Sequence, residues 1–349
     1  MPDALADLLA LGLCCPRCRG DLACSVQHGE GTLRCGSCGQ TYPVTLGIPD
    51  LRVFADPYID SEADRAKGRR LKEEGGRTWE DQVRFYYAIT ESVPAAQASR
   101  FVAGLQVASA RAEATIAAWE ALDPRRAPAA RLLDVGCGTA PLLVASGSRA
   151  GVRVGVDIAF RWLVVGQQRL ADAGVTAHLV CACAEALPFR GGQFDLVESQ
   201  GLLENVRDQE QTMAEARRVM EAGGQLRVST ANRFSPGPDP HLGLPGGGLV
   251  PAGIAAAMAR RRGALPPVRR LLSLRTLAGL LRRGGFGQRR YGVPIVAEAQ
   301  RRNLGLVLRA AARGYEWARL RPGVRQLLLL VSPTLVATAR KSAPQRSAV

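Results

Sequence analysis

No run of about eighteen apolar residues occurs in this 349-residue chain, so no stretch of it has the length to cross a bilayer as a helix; the longest leucine-rich stretch is residues 327–331. Basic residues are missing from Met1-Pro2-Asp3-Ala4-Leu5-Ala6-Asp7, where a secretory leader would carry them, which points to a cytoplasmic protein. In a reducing compartment the nine cysteines speak for metal rather than disulfides. Aromatic residues make up only 5%, leaving few platforms on which splayed bases could stack. Lysine is confined to Lys67, Lys72 and Lys341, so nearly all positive charge is arginine. Acids are scarce at one end: residues 231–349 hold 21 basic against 3 acidic side chains, and this +18 exceeds the +15 of the whole chain. Such a field suits an anionic partner, a membrane surface or RNA, or is simply a solvated surface. What is present in quantity is apolar, 47%, enough for one large domain and a small one.

The most informative stretch is Arg131-Leu132-Leu133-Asp134-Val135-Gly136-Cys137-Gly138-Thr139-Ala140-Pro141. An apolar strand, a carboxylate, two glycines two apart and a helix start describe a nucleotide-type turn at the end of a first strand. A dinucleotide site would place a third glycine where Pro141 stands. Asp134 would also repel a pyrophosphate and attract a cation. S-adenosylmethionine (SAM) carries no phosphate, but an ammonium and a sulfonium. Gly155-Val156-Asp157-Ile158 reads as a second strand ending in an acid suited to ribose hydroxyls. Strands at 131–135, 152–157, 177–182, 193–198 and 225–230, with helices near 141–149, 160–173 and 209–221, predict an α/β fold: a Rossmann-like parallel sheet covered on both faces.

Asp134-x-Gly-x-Gly, Asp157, Ala184-Glu185-Ala186-Leu187-Pro188-Phe189 and Phe194-Asp195-Leu196-Val197, in that order, resemble a class I SAM-dependent methyltransferase of the ubiquinone/menaquinone-biosynthesis type over about residues 126–232. The resemblance implies cofactor contacts from Asp134, Gly136, Cys137, Gly138, Asp157, Ile158, Cys183, Ala184 and Glu185. Cys183 departs from the pattern, since relatives usually place an acid there for the adenine amine; a thiol accepts weakly, so backbone near Ala184 and apolar contact with Ile158 would hold the adenine.

Nearer the N-terminus, Cys15-Pro16-Arg17-Cys18 and Cys35-Gly36-Ser37-Cys38 form two Cys-x-x-Cys knuckles, the spacing of a structural zinc ribbon with no open coordination position. With the following Tyr42-Pro43-Val44 and Gly47-Ile48-Pro49, the region is similar to the small zinc-ribbon protein that partners and activates several methyltransferases, and to the N-terminal zinc module of rRNA guanine-N1 methyltransferases. The resemblance implies a protein partner at the ribbon. Cys14 and Cys24 are left over, and His28 reads as a turn residue.

The expected organisation is a ribbon at 1–55, a charged linker and two lid helices at 56–125 ending near Asp123, and a methyltransferase domain at 126–349 with substrate insertions at about 233–270 and 297–321. Phe85-Tyr86-Tyr87 is the part of the lid expected to face ligand, with Phe85 read rather as packing against the sheet and Tyr86 and Tyr87 equally placed to face ligand. Ser273 reads as a helix N-cap, and residues 327–340 as the last strand. Catalytic candidates are Glu198 and Gln200 after the fourth strand and His241 in the Pro/Gly-rich insertion, where loops at strand ends build the substrate wall; relatives often have histidine where Asn205 stands. His178 reads as structural. A methyltransferase for a small or lipid-linked acceptor, an rRNA or tRNA base methyltransferase, and an idle scaffold docking another methyltransferase are the three functions to be separated.

Overall fold

The computed structural model describes residues 2–125, 127–237, 244–266, 268–302 and 305–342. Helix α1 (Pro2–Ala10) leads into an antiparallel meander of β1 (Leu22–Gln27), β2 (Glu30–Cys35), β3 (Thr41–Thr45) and β4 (Ile48–Pro49). The first hairpin turns on His28-Gly29, both at positive φ (51° and 82°), as a tight turn between right-twisted strands requires.

Four helices follow: α2 (Ser61–Glu74), α3 (Trp79–Ala88), α4 (Ala95–Gln106) and α5 (Ala108–Leu122). The segment expected to open with a linker is therefore helical from Ser61. Asp60 caps α2 by accepting from the amides of Glu62 and Ala63, and the helix buries only Asp64, Gly68 and Leu71. One buried apolar side chain in fourteen residues leaves no apolar stripe to read.

The large sheet is built from β5 (Ala129–Val135), β6 (Ala150–Asp157), β7 (His178–Cys181), β8 (Phe194–Gln200), β9 (Met220–Ala231), β10 (Phe286–Gly292) and β11 (Thr334–Lys341), in the order β10-β11-β9-β8-β5-β6-β7. Strands β5 to β9 run parallel, and β11 is antiparallel to both its neighbours. Helices α6 (Pro141–Ser146), α7 (Phe160–Asp172), α8 (Gln209–Val219), α9 (Ala252–Arg261), α10 (Leu274–Arg283), α11 (Glu298–Arg302), α12 (Leu306–Arg319) and α13 (Pro322–Val331) complete the chain. From β5 the chain moves outward to β7 and then returns to β8, so the order reverses between β5 and β8, the crevice where open α/β sheets bind ligands.

Ser273 caps α10 in a reciprocal box with Thr276, as its position suggested. Residues 327–331 instead belong to helix α13, and the last strand begins at Thr334. Pro322 sits in the first turn, where no amide is needed, and a leucine run without β-branching favours helix over strand until Pro333 ends it.

The ribbon is not a separate bead. Cys14 donates its amide to the carbonyl of Pro188, Arg190 donates to Gly12, and Leu51 donates to Cys181, each at 2.7–2.9 Å. Asp50 pairs in parallel with Cys181 and so covers the edge strand β7. Leu8, Leu13, Leu33 and Leu51 pack in one apolar core with Val156, Val180 and Phe189. Covering an exposed strand edge removes a template for unwanted pairing.

Candidate active site

The turn after β5 is shaped by its glycines. Gly136 has φ 81°, and a Cβ added there would come within 2.9 Å of the Leu202 side chain. The amides of Gly136 and Cys137 both donate to the carbonyl of Val156, at 2.7 and 3.0 Å, tying β5 to β6. Gly138 has φ 50° with open space where a Cβ would be. Pro141 opens α6 immediately after.

Two acids flank this turn. Asp134 is 1% exposed, and its Oδ2 has no hydrogen-bond partner among the described residues. Burial, reinforced by the charges of Glu198 and Asp157, pushes its carboxyl well above the ordinary range. Asp157 accepts from the amides of Gly138 and Ala159, both at 2.8 Å, yet burial still raises its carboxyl. An orphaned buried carboxylate oxygen beside a turn left open at Gly138 fits a cationic guest and opposes a phosphate.

The flank of the site is locked by ion pairs that no motif announces. Arg52, with a side chain 2% exposed, binds both oxygens of Asp50 at 2.8 and 2.6 Å. It also reaches Asp64 at 2.8 Å and the carbonyl of Ile158 at 3.0 Å. Asp64 is fully buried and accepts in addition from Arg161 and from the Phe160 amide at the start of α7. The last residues of the ribbon, helix α2 and the loop carrying Asp157 and Ile158 are thereby one charged cluster.

Cys183 is buried, with its thiol pointing to the carbonyl of Phe54 at 3.5 Å, and burial pushes it up to about 11. Ala184 is buried beside it. Glu185 turns instead to the amides of Arg207 and Asp208, fixing the approach to α8.

Two cavities open nearby. One, of about 460 Å³, is lined by Gln200, Ser229, Thr230, Asn232 and, from the segment between β9 and α10, Ser235 and Gly248. The other, of about 510 Å³, is lined by Tyr86, Tyr87, Phe101 and Trp162 with Lys67 and Arg100. Arg111 of α5 borders both. Tyr86 and Tyr87 thus line the same cavity, whereas Phe85 lies under the Arg70 guanidinium, 5.7 Å from its ring centre.

Gln200 donates to the Thr115 hydroxyl at 2.6 Å, which leaves its carbonyl oxygen for a guest. Glu204 is spent on the Thr230 hydroxyl and the Ala231 amide. Glu198 faces elsewhere: it pairs with Arg227 at 3.0 Å and lines a different cavity with Glu120, Arg125 and Arg149. It shares a side of β8 with Gln200 but stands two residues further from the strand end, in register between Asp134 on β5 and Arg227 on β9. His241 lies outside the described residues. His178 begins β7, 3.9 Å from Asp7. No motif picks out Arg52, Asp64, Arg111 or Arg161, because none of them belongs to a pattern with a spacing signature.

In the ribbon, the sulfurs of Cys15, Cys18, Cys35 and Cys38 all lie within 4.8 Å of one another. The Cys15–Cys38 and Cys18–Cys35 pairs are 3.7 and 3.4 Å apart, close to the edge of a tetrahedron with bonds of about 2.3 Å. The knuckles are built alike: Arg19 and Gly39, each following the second cysteine, have φ 65° and 73°, and their amides donate to the carbonyls of Cys15 and Cys35. Burial opposes ionisation of Cys15, but hydrogen bonds from the Tyr42 hydroxyl and the backbone bring its thiol down to about 6. Cys14 is buried and held through its backbone, and Cys24 is exposed on β1.

A sheet with one antiparallel strand beside its parallel core, and an acid-glycine turn at its reversal point, define a class I methyltransferase fold joined to a zinc-ribbon-like module. Residues 133–228 match the methyltransferase domain family, and residues 12–47 match the Trm112p-like protein family. The chain is 40% identical over 116 residues to a ubiquinone/menaquinone biosynthesis C-methyltransferase of Xylella fastidiosa, covering 30% of this chain and 46% of the relative. The same enzyme of Bordetella avium is 37% identical over 123 residues, covering 34% and 48%. The chain thus spans less than half the length of these curated relatives. A SAM-dependent methyltransferase structure from Thermotoga maritima aligns at 17% identity, covering 70% of this chain and 95% of that one, with a TM-score of 0.45.

Proposed function

We propose that the protein is a SAM-dependent methyltransferase acting on a small or lipid-linked acceptor. The observation that carries this is the partnerless, buried oxygen of Asp134 at the sheet's reversal point, beside a turn that glycine keeps open. Asp134 would hold the ammonium of SAM, Asp157 the ribose hydroxyls through its remaining lone pairs, and Ile158, Cys183 and Ala184 the adenine. The Gly136–Gly138 turn lets backbone approach the ligand closely. SAM supplies a methyl group already activated on a sulfonium.

What this chain adds is alignment and exclusion of water. Gln200 and Arg111 are placed to orient the acceptor. Among the described lining residues of the Gln200 cavity the carboxylate, Glu204, is already engaged, so an acceptor that brings its own nucleophile fits best. The ribbon, bounded near residue 55, would hold a structural zinc through Cys15, Cys18, Cys35 and Cys38. Its edge pairing with β7 in the same chain disfavours an idle scaffold that uses this edge to dock another methyltransferase. An RNA acceptor is supported by the basic C-terminal third and opposed by the few exposed aromatic rings.

Isothermal titration with SAM tests the reading. The wild type should bind, and Asp134→Asn should bind about 10–100-fold more weakly, the worth of one charge-assisted hydrogen bond. Equal affinity in the two proteins would remove Asp134 from the pocket.

A further inference from the structure

Large apolar side chains are exposed in only a few places. Of the thirteen among the described residues, twelve lie in two segments: Phe234, Leu249, Ile254, Leu265 and Val268 between β9 and α10, and seven in residues 306–331, on α12, α13 and the Leu320 turn that joins them. Leu306 is 83% exposed, Leu327 65% and Trp317 60%. Helix α13, whose sequence ends in Leu-Leu-Leu-Leu-Val, buries no residue at all. Leu328 and Leu329 are half-buried, but Leu327, Leu330 and Val331 stand exposed, and leucine at this density on the outside of a helix is an unpartnered face.

The same two segments are strongly basic. Residues 233–270 and 297–331 contain thirteen arginines against three acids, a net of +10. The one acid of α12 is already paired, Glu316 with Arg319. Apolar side chains, a tryptophan and arginines on short helices are the composition of elements that lie in the plane of an anionic membrane surface.

The two segments also meet at the mouth of the Gln200 cavity. The Asn232 side-chain amide donates to the carbonyls of Leu330 and Ser332, both at 2.9 Å, stapling the end of α13 to the end of β9. Pro333 and Thr334, directly after α13, line that cavity together with Ser235 and Gly248.

We propose that α12, α13 and the exposed side chains of residues 244–266 and Val268 dock on an anionic lipid bilayer, and that the cavity receives its acceptor from that surface. The second half rests on the methyltransferase reading; the docking does not. RNA would use the arginines but not the leucines, and only Trp317, with Arg321 stacked 4.9 Å from its ring centre, offers an exposed tryptophan there. A second copy of the chain would cover the leucines but would have to bring like charges together.

The test is co-sedimentation of the full chain with phosphatidylcholine vesicles, with and without phosphatidylglycerol, alongside SAM titration and light scattering. The expected result is binding to the anionic vesicles alone, weakened about tenfold or more by Trp317→Ser/Leu327→Ser and by Arg309→Gln/Arg313→Gln, with SAM affinity unchanged. Failure of the wild type to sediment with anionic vesicles overturns the docking. So does a dimer that Trp317→Ser/Leu327→Ser dissociates, or vesicle binding that is abolished by added RNA and indifferent to that substitution. Vesicle binding by a protein that does not bind SAM supports the docking and removes the methyltransferase reading alone.

Discussion

Replacing Arg52 by methionine should cost more than any surface change in the molecule. Arg52 is 2% exposed, and its partners Asp50 and Asp64 are 3% and 0% exposed, so water screens none of these contacts. The substitution keeps much of the side-chain volume but leaves Asp50 with Arg65 and Asp64 with Arg161 as their remaining cations. Removing one partner from a buried pair costs about 3–5 kcal/mol, largely because the remaining charge is stranded. At roughly 2–4 °C per kcal/mol for a domain of this size, thermal unfolding should move down by about 6–20 °C. Arg52→Met/Asp50→Leu should recover part of that loss, since it removes a stranded acid as well.

The sign of the pH dependence follows. In the wild type, burial works against the Asp50 charge, but Arg52 and Arg65 overcome it and hold the carboxyl below its ordinary 3.8. That stability is present above the unfolded value and is lost as pH falls through the depressed folded value. Without Arg52 the carboxyl rises, so the mutant's deficit should shrink as the pH falls toward the ordinary carboxylate range. Differential scanning calorimetry at neutral and mildly acid pH reads both effects. A shift within about 2 °C of wild type at neutral pH would refute the stranded-charge argument.

Other outcomes can be checked separately. Because Asp134 binds its proton more tightly when folded, SAM affinity should fall as pH falls through its raised value, with proton release on binding measurable by titration in two buffers; Asp134→Asn should lose that release. The same substitution should raise the unfolding temperature of the ligand-free protein at neutral pH, a gain that vanishes once the pH is low enough to protonate Asp134 in both states. Metal analysis should find one zinc per chain, absent in Cys15→Ser/Cys38→Ser, and because the ribbon shares the core of Val180 and Phe189 its loss should lower unfolding by about 5 °C or more; an unchanged melt would uncouple ribbon from sheet. Arg111→Ala should raise KM for the true acceptor several-fold with little change in SAM affinity, and an effect confined to SAM would move Arg111 to the other ligand.

Much of the site was readable because local chemistry demanded it. Only glycine adopts the φ of Gly136 and Gly138 freely, and two Cys-x-x-Cys knuckles can do little else than face each other. Helix α2 was not readable, because what it buries is Asp64 and Leu71 rather than an apolar stripe, and the value of Asp64 comes from Arg52 and Arg161, distant in sequence. Residues 327–331 look like the start of the last strand by apolarity alone, but Pro322 and the absence of β-branching through Leu327-Leu328-Leu329-Leu330 favour a helix. The docking of the ribbon on β7 depends on Asp50 meeting Cys181, a pairing with no local signal. Glu198 was plausible as a strand-end acid, and Arg227, its partner one strand over, was needed to see that it faces another cavity.

The most direct test of the central claim is to incubate the purified protein with methyl-labelled SAM and an extract of its own cells, then separate lipid, small-molecule, RNA and protein fractions. Label in the organic or small-molecule fraction, lost with Asp134→Asn, is the predicted result. Label confined to nuclease-sensitive RNA would contradict the proposed acceptor, and no transfer to any fraction by a protein that also fails to bind SAM would contradict the enzyme itself.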